Sequence, residues 1–337
     1  MKEAMFYEPG EEGGKVRCRL CQHNCLIGPS RRGICEVREN RKGKLFTLVY
    51  RKAISTAVDP IEKKPLFHFH PGTTSLSVAT VGCNFKCRHC QNYSISQMVR
   101  DLGEIPGEDI SPEDIVKMAK RRGCDSLSYT YTEPTIFYEY AYDISKLAKK
   151  DGIANTFVTN GYIGEDPLKE IAPYLDAANI DLKAFTDKFY KEICGARLQP
   201  VLDSIRLHHE LNIWIEVTTL LIPGHNDSRA ELEKIAGFIA SIDPGIPWHV
   251  TRFYPTYRLK DQPATPIEKL RLAREIGTKA GLKYVYEGNV PGEEKEDTFC
   301  PACGDLLIKR SGFMVMKNHI SNGRCPKCET RIDGRFL

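Results

Sequence analysis

Val81-Gly82-Cys83-Asn84-Phe85-Lys86-Cys87-Arg88-His89-Cys90-Gln91 carries three cysteines at C-x3-C-x2-C spacing. Such a run gives an iron-sulfur cube three thiolates where four are usual, so one iron is left open. An open iron can take the amino and carboxylate groups of S-adenosylmethionine (SAM). An electron from the reduced cluster then breaks a carbon-sulfur bond and releases a 5′-deoxyadenosyl radical. A three-cysteine zinc site is the alternative, but zinc prefers paired C-x-x-C knuckles that close to four ligands. Leu76 to Thr80, just upstream, reads as a buried strand that ends at this loop.

Downstream the pattern alternates. Apolar, β-rich runs at Leu127-Tyr131, Ala154-Val158, Ala178-Leu182, Trp214-Leu221 and Trp248-Phe253 are separated by amphipathic stretches at Pro112-Arg122, Thr135-Lys149, Asp166-Tyr174, Val201-Leu211, Arg229-Ile242 and Pro266-Ala280. Strand then helix, repeated, predicts a parallel sheet with helices outside, an α/β fold. Such a sheet gathers its reactive groups in the loops at the C-terminal strand ends. Polar residues fall there: Tyr131-Thr132-Glu133-Pro134-Thr135, Val158-Thr159-Asn160-Gly161-Tyr162, Asp181-Leu182-Lys183, Pro223-Gly224-His225-Asn226-Asp227 and Arg252-Phe253-Tyr254-Pro255. Buried charges are costly unless paired, so a purely structural core has no use for Glu, Asn, Asp and Lys at successive strand ends. A SAM site does, because the ammonium wants acceptors, the carboxylate a cation, and the ribose hydroxyls a carboxylate or amide. Any one of these residues alone reads as a helix cap or a surface pair.

The chain has 13 cysteines in 337 residues. Cys300-Pro301-Ala302-Cys303 and Cys325-Pro326-Lys327-Cys328 are two C-P-x-C knuckles about 21 residues apart, the spacing of a four-cysteine zinc ribbon. A rubredoxin-like single iron would use the same ligands. Cys18, Cys21, Cys25 and Cys35, with two, three and nine residues between them, form a third group that fits zinc or an iron-sulfur cluster, and His23 could enter that shell. Cys124 and Cys194 read as small buried hydrophobes. Disulfides need an oxidising compartment, whereas Met1-Lys2-Glu3-Ala4-Met5 shows no apolar signal region, so a cytoplasmic location is expected. No apolar stretch approaches the ~20 residues needed to cross a bilayer.

The formal charge of +4 is misleading. A four-thiolate zinc site carries about −2 and a three-thiolate cube about −1, which brings the metallated chain near neutrality. Bulk charge therefore gives no argument for a nucleic-acid partner. The local basic run Lys117 to Arg122 reads as a solvated helix end favoured by the macrodipole. The expected organisation is an N-terminal Cys-rich module over residues 1–72, including a strand-like run at Leu45 to Tyr50, a barrel over 73–292, and a C-terminal ribbon over 293–337. Metals would hold modules too short to bury much core.

The C-x3-C-x2-C loop resembles the signature of the radical SAM superfamily. Together with Thr159-Asn160-Gly161 and Asp181-Leu182-Lys183 it is similar to the motifs of glycyl-radical-enzyme activases such as pyruvate formate-lyase activating enzyme. The Glu133 loop departs from their Gly-Gly-Glu. Over nearly the whole chain, the N-terminal C-x2-C-x3-C, Tyr131-Thr132-Glu133-Pro134, Pro247-Trp248-His249, Arg252-Phe253-Tyr254-Pro255, Gly288-Asn289-Val290-Pro291-Gly292 and the terminal ribbon resemble the AmmeMemoRadiSam system radical SAM proteins. That family is named for its association with Memo-like and AMMECR-like proteins, which the resemblance implies as partners beside an electron donor such as flavodoxin or ferredoxin. It implies a partial (β/α)6 barrel in which Cys83, Cys87 and Cys90 hold a 4Fe-4S cube, His89 stacks near adenine and Glu133 lies by the SAM ammonium. Asn160, Asp181 and Lys183 would then hold the ribose and carboxylate ends, with Lys183 as a compact cation. His225 and His249 read either as proton donors or as structural histidines. The function that follows is hydrogen abstraction from a small molecule, or from a glycine of a partner protein; a metal-stapled SAM-binding scaffold or redox module is the alternative outside enzymes.

Overall fold

A computed structural model describes residues 1–10, 13–290 and 296–337. Pro291 and Gly292 of the Gly288-to-Gly292 motif lie outside the described residues. One eight-stranded sheet organises the molecule: β1 (Ser55–Pro60), β2 (Thr74–Ala79), β3 (Ser126–Tyr129), β4 (Ala154–Thr159), β5 (Ala177–Asp181), β6 (Trp214–Leu221), β7 (Trp248–Arg252) and β8 (Val285–Gly288), in spatial order β8-β7-β6-β5-β4-β3-β2-β1. Strands β2 to β8 are parallel, and β1 pairs antiparallel with β2. Strands β1 and β8 end the order unpaired with each other, so the barrel is partial. The six strands expected from the alternating pattern are all present. The two additional ones flank them, and β1 comes from the segment assigned to the N-terminal module, because an antiparallel edge needs no crossover helix.

Helices α1 (Pro112–Arg121), α2 (Tyr138–Lys150), α3 (Glu165–Ile171), α4 (Gln199–Glu210), α5 (Arg229–Ile242) and α6 (Ile267–Lys279) lie between the parallel strands in sequence. Local chemistry sets their ends. In α1 the Ser111 side chain accepts from the Asp114 N–H, Pro112 opens the first turn, and Lys120 and Arg121 sit in the last, with Ile115, Val116 and Ala119 buried. The basic run is thus a helix end, with Lys117 paired to Asp114 and Lys120 to Asp151.

The appended modules share cores with the barrel. Val16, Leu20, Ile27, Val37 and Leu45 belong to the same buried cluster as Leu76, Ile136 and Tyr162. The strand-like run near Leu45 is the strand Lys44–Thr47. At the other end, β9 (Thr298–Phe299), β10 (Leu306–Ser311) and β11 (Met314–Asn318) form an antiparallel ribbon. Its Leu307 and Ile308 pack with Phe67, Tyr284 and Tyr286. Tyr286 is on β8 and Phe67 follows β1, so the ribbon covers the seam where the sheet fails to close. Arg310 fastens it. Fully buried, its guanidinium donates to the Phe67 carbonyl at 2.8 Å and to the Glu296 carbonyl and Thr298 Oγ1 at 2.8 Å each, 4.3 Å over the Phe67 ring.

Candidate active site

Gly82 and Gly161 shape the two loops that meet at the mouth of the barrel. Gly82 has φ +100°, and a Cβ there would stand 2.8 Å from Val37 Cγ1; Gly161 has φ +71°, and a Cβ would meet Ile180 Cγ2 at 2.9 Å. Only glycine meets both demands. Between these loops lies a cavity of about 480 Å³ lined by Cys83, Cys87, His89, Cys90, Glu133 and Asn160, and by Asp181 and Lys183. Every cluster-loop and strand-end residue expected to bind cofactor therefore lines one space.

The three thiols fit a cube better than a single ion. Among the described residues, only Cys300, Cys303, Cys325 and Cys328 bring three or more ligand atoms within 4.8 Å of one another. Cys83, Cys87 and Cys90 line the same cavity but stand wider apart. Cys83 Sγ accepts from the Phe85 N–H at 3.4 Å, and Cys90 Sγ lies 3.1 Å from Ser96 Oγ. Cys87 contacts Cys194, which is fully buried, as is most of Cys124.

His89 is 4 % exposed, and its Nδ1 has no hydrogen-bond partner among the described residues. Burial, with Lys183 and His225 nearby, pulls its imidazole down to about 3. A neutral ring on the cavity wall suits an uncharged aromatic ligand. Asn160 Nδ2 donates to Asn84 Oδ1 at 2.8 Å and lies 3.9 Å from Cys83 Sγ. Asp181 and Lys183 alternate around fully buried Leu182, and their charged groups meet at 2.8 Å. Burial opposes the Lys183 ammonium, but Asp181 and the Cys87 and Cys194 thiols outweigh it and hold its pKa well above the ordinary lysine value.

Glu133 is differently placed. Its Oε1 accepts from the Thr135 N–H (3.0 Å), the Thr135 hydroxyl (2.6 Å) and the Thr159 hydroxyl (2.8 Å), and its Oε2 accepts from the Asn160 N–H (2.8 Å). The carboxylate is thus mostly used in tying the loop after β3 to the loop after β4. Two of the five polar strand ends do not reach the cavity. Asn226 donates to the Lys183 and Leu220 carbonyls at 2.6 and 2.9 Å and closes its own turn, and Arg252 Nε donates to the Thr265 carbonyl at 2.8 Å. His225 is half-buried near Phe189. His249 does line the cavity, with Nε2 2.7 Å from the buried Glu216 carboxylate, which also accepts from the Phe67 and His68 N–H groups.

The wall has members that the sequence reading missed. Glu62, Lys64 and Phe67, with Glu296 and Phe313 from the C-terminal segment, face the same space. Burial pulls Lys64 down to about 8 and pushes Glu296 up to about 7. Tyr131, at φ +63°, donates its hydroxyl to Asp59, which also accepts from Lys64 at 2.6 Å. The charged run Asp59 to Lys64 was the available signal, but a linker of solvated charges reads the same way.

At the ribbon, Cys300 Sγ and Cys328 Sγ stand 3.6 Å apart and Cys303 and Cys325 Sγ 3.7 Å apart. Zinc–sulfur bonds of about 2.3 Å in a tetrahedron place sulfurs about 3.8 Å apart, so this set fits one tetrahedral ion. Hydrogen bonds from Thr330 hold the Cys328 thiol down to about 6.

Residues 77–239 match the model of the Radical SAM superfamily. Uncharacterized protein MJ0808 of Methanocaldococcus jannaschii is 48% identical over 336 residues, covering 99% of each chain. The pyruvate formate-lyase-activating enzyme of Clostridium pasteurianum is 25% identical over 167 residues, 48% of this chain and 67% of the relative. Among solved structures, a radical SAM methyltransferase from Sphaerobacter thermophilus matches in fold with a TM-score of 0.51 and 16% identity over 71% of each chain. No helix of the described residues is long and apolar enough to cross a membrane.

Proposed function

Because the chain belongs to the radical SAM superfamily, we propose that it binds a 4Fe-4S cluster at Cys83, Cys87 and Cys90, cleaves SAM reductively there, and abstracts hydrogen from a substrate held in the same cavity. The bound cluster supplies the electron and the open iron; the 5′-deoxyadenosyl radical follows from SAM. The observation that carries this reading is the convergence of the three thiols with His89, Asn160, Asp181 and Lys183 on one cavity. His89 offers a neutral ring to adenine. Lys183 offers the SAM carboxylate a cation whose charge Asp181 secures, while Asp181 keeps an oxygen for the ribose. Asn160 sits against Cys83 and reaches the same ligand. Glu133 holds the Asn160 loop in place. His249, held by Glu216, lines the same cavity. One zinc at Cys300, Cys303, Cys325 and Cys328 would secure the ribbon.

The ribbon and the segment after β1 wall the cavity through Phe313, Glu296 and Phe67, which favours a small substrate over a glycine loop threaded in from a partner. The likeness to a pyruvate formate-lyase-activating enzyme supports the second reading, an activase. The AmmeMemoRadiSam resemblance adds a Memo-like or AMMECR-like partner, and a flavodoxin or ferredoxin would deliver the electron. The test is incubation of reduced holoenzyme with SAM and deuterated candidates. Deuterium in 5′-deoxyadenosine identifies the substrate, and a glycyl radical signal on a partner protein identifies an activase. If no 5′-deoxyadenosine forms at all, the chain is a SAM-binding scaffold.

A further inference from the structure

Cys18, Cys21, Cys25 and Cys35 are spread over residues 18–35, yet all four line a second, small cavity of about 20 Å³. Their sulfurs are arranged unlike those of the ribbon. Zinc draws four thiolates into a tetrahedron with edges of about 3.8 Å, and the ribbon's pairs at 3.6 and 3.7 Å match it. Among the N-terminal four, no three sulfurs lie mutually within 4.8 Å. They surround a space rather than a point, as the loop cysteines Cys83, Cys87 and Cys90 do.

A second, independent feature borders this space. Arg38 lines the cavity and is 1 % exposed. One terminal nitrogen, Nη2, donates to Glu139 Oε2, but Nε and Nη1 have no hydrogen-bond partner among the described residues. A buried guanidinium with two unused donors is costly unless an acceptor stands before it. Cluster sulfides and cysteine thiolates are such acceptors, and hydrogen bonds to sulfur are among the groups that set a cluster's potential.

The cavity also adjoins the active site. Thr135 and Ile136 line it, two and three residues on from Glu133, which lines the larger cavity. The Cys35 carbonyl would lie 3.3 Å from a Cβ on Gly82, next to Cys83. His23 Nε2 stands 2.8 Å from the Asn84 carbonyl.

We propose that Cys18, Cys21, Cys25 and Cys35 hold a second 4Fe-4S cluster, with Arg38 donating to it, and that this cluster receives the electron for the first. A one-electron protein donor carrying a reduced flavin or iron-sulfur centre loses one electron to the N-terminal cluster. That cluster passes the electron to the one at Cys83, Cys87 and Cys90 and returns to its oxidised state, ready for the next. The site stands on the N-terminal geometry alone; the relay rests on the radical SAM reading.

The full chain carrying Cys83→Ala, Cys87→Ala and Cys90→Ala together tests the site without any SAM chemistry. After anaerobic reconstitution with iron and sulfide it should retain about four irons, with a reduced-cluster EPR signal that SAM leaves unchanged. Two zinc ions per chain with no iron, or no metal at the N-terminal pocket, would overturn the site. The full chain carrying Cys18→Ala and Cys21→Ala, with its SAM-responsive cluster intact, tests the relay. Dithionite should still reduce that cluster, while reduced flavodoxin should do so at least tenfold more slowly than in the unmodified chain. An unchanged flavodoxin rate would overturn the relay and leave the site standing. Should that pair of substitutions prevent folding, Arg38→Met in the triple-alanine background gives the further reading. A shifted midpoint potential of the remaining cluster is expected, and an unshifted one would remove Arg38 from the site.

Discussion

Asp181 and Glu133 are both acidic residues on the wall of the cavity proposed to take SAM, and their surroundings differ. Asp181 has its partner Lys183 and remains about one-third exposed, so ligand can still reach it. Asp181→Asn should weaken SAM binding by about 1–3 kcal/mol, the range for losing a charge-assisted hydrogen bond, and leave the melting temperature of the SAM-free chain nearly unchanged. Calorimetric titration and thermal unfolding of the same variant check this; an apoprotein that collapses while its affinity holds would make the pair structural. Glu133 is fully buried and takes four hydrogen bonds from Thr135, Thr159 and Asn160. Glu133→Gln keeps the shape but turns an NH2 towards donors, and should destabilise the SAM-free chain by about 1–3 kcal/mol in urea unfolding. The residue types at both positions were legible in the sequence. Which of them is consumed internally was not, because that depends on Thr159 and Asn160 arriving from the next strand.

At the scale of elements, two attachments hold the site together. Gly82 sits where the cluster loop leaves β2 and presses on Val37 and Cys35 of the N-terminal module. Gly82→Ala forces a side chain into left-handed backbone and into Val37, which should cost about 1–3 kcal/mol. Iron bound per chain should fall with it, a result read by iron analysis beside chemical unfolding. The ribbon is fixed by Arg310, whose Nε lies 3.7 Å from the equally buried Glu62. Arg310→Met would strand Glu62 and should cost about 3–5 kcal/mol. Limited proteolysis should then cut first after residue 296, and chelation of the ribbon metal should expose the same region. The helices were legible to within about three residues, closest where caps such as Ser111 and Ser228 are local signals. β1 was not, since only its pairing with β2 distinguishes it from a linker.

For the whole molecule, pH reports how much polar structure is buried. His68 bridges the ribbon and the barrel, with Nδ1 2.6 Å from the Asp333 carbonyl and Nε2 2.6 Å from the Tyr286 hydroxyl. His208 is also buried, with Nδ1 2.8 Å from the Ser204 carbonyl. Burial pulls both imidazoles down from 6.5 to about 4. A histidine whose folded pKa lies below its unfolded value binds a proton only on unfolding, so its contribution is intact above about 6.5 and is lost as pH falls towards 4. The loss by pH 4 is on the order of 3 kcal/mol for each. Urea unfolding at pH 7 and pH 5 should show the midpoint dropping, and His208→Gln should flatten that drop; an equal slope in the variant would locate the pH dependence elsewhere. By itself the sequence determined the three-cysteine spacing of the loop after β2, the alternation of strands and helices and the two-knuckle spacing of the ribbon, because each depends on spacing along the chain and on residue chemistry that no distant contact alters. Only the tertiary structure decided that the ribbon and the segment after β1 wall the cavity, that Glu133 is spent on neighbouring loops, and that the N-terminal thiols share their small cavity with an arginine that, among the described residues, keeps two nitrogens unbonded beside its pair with Glu139. Those are relations between residues tens to hundreds of positions apart, and they are fixed by how the open seam of the sheet is filled and by which face of each loop is buried against it.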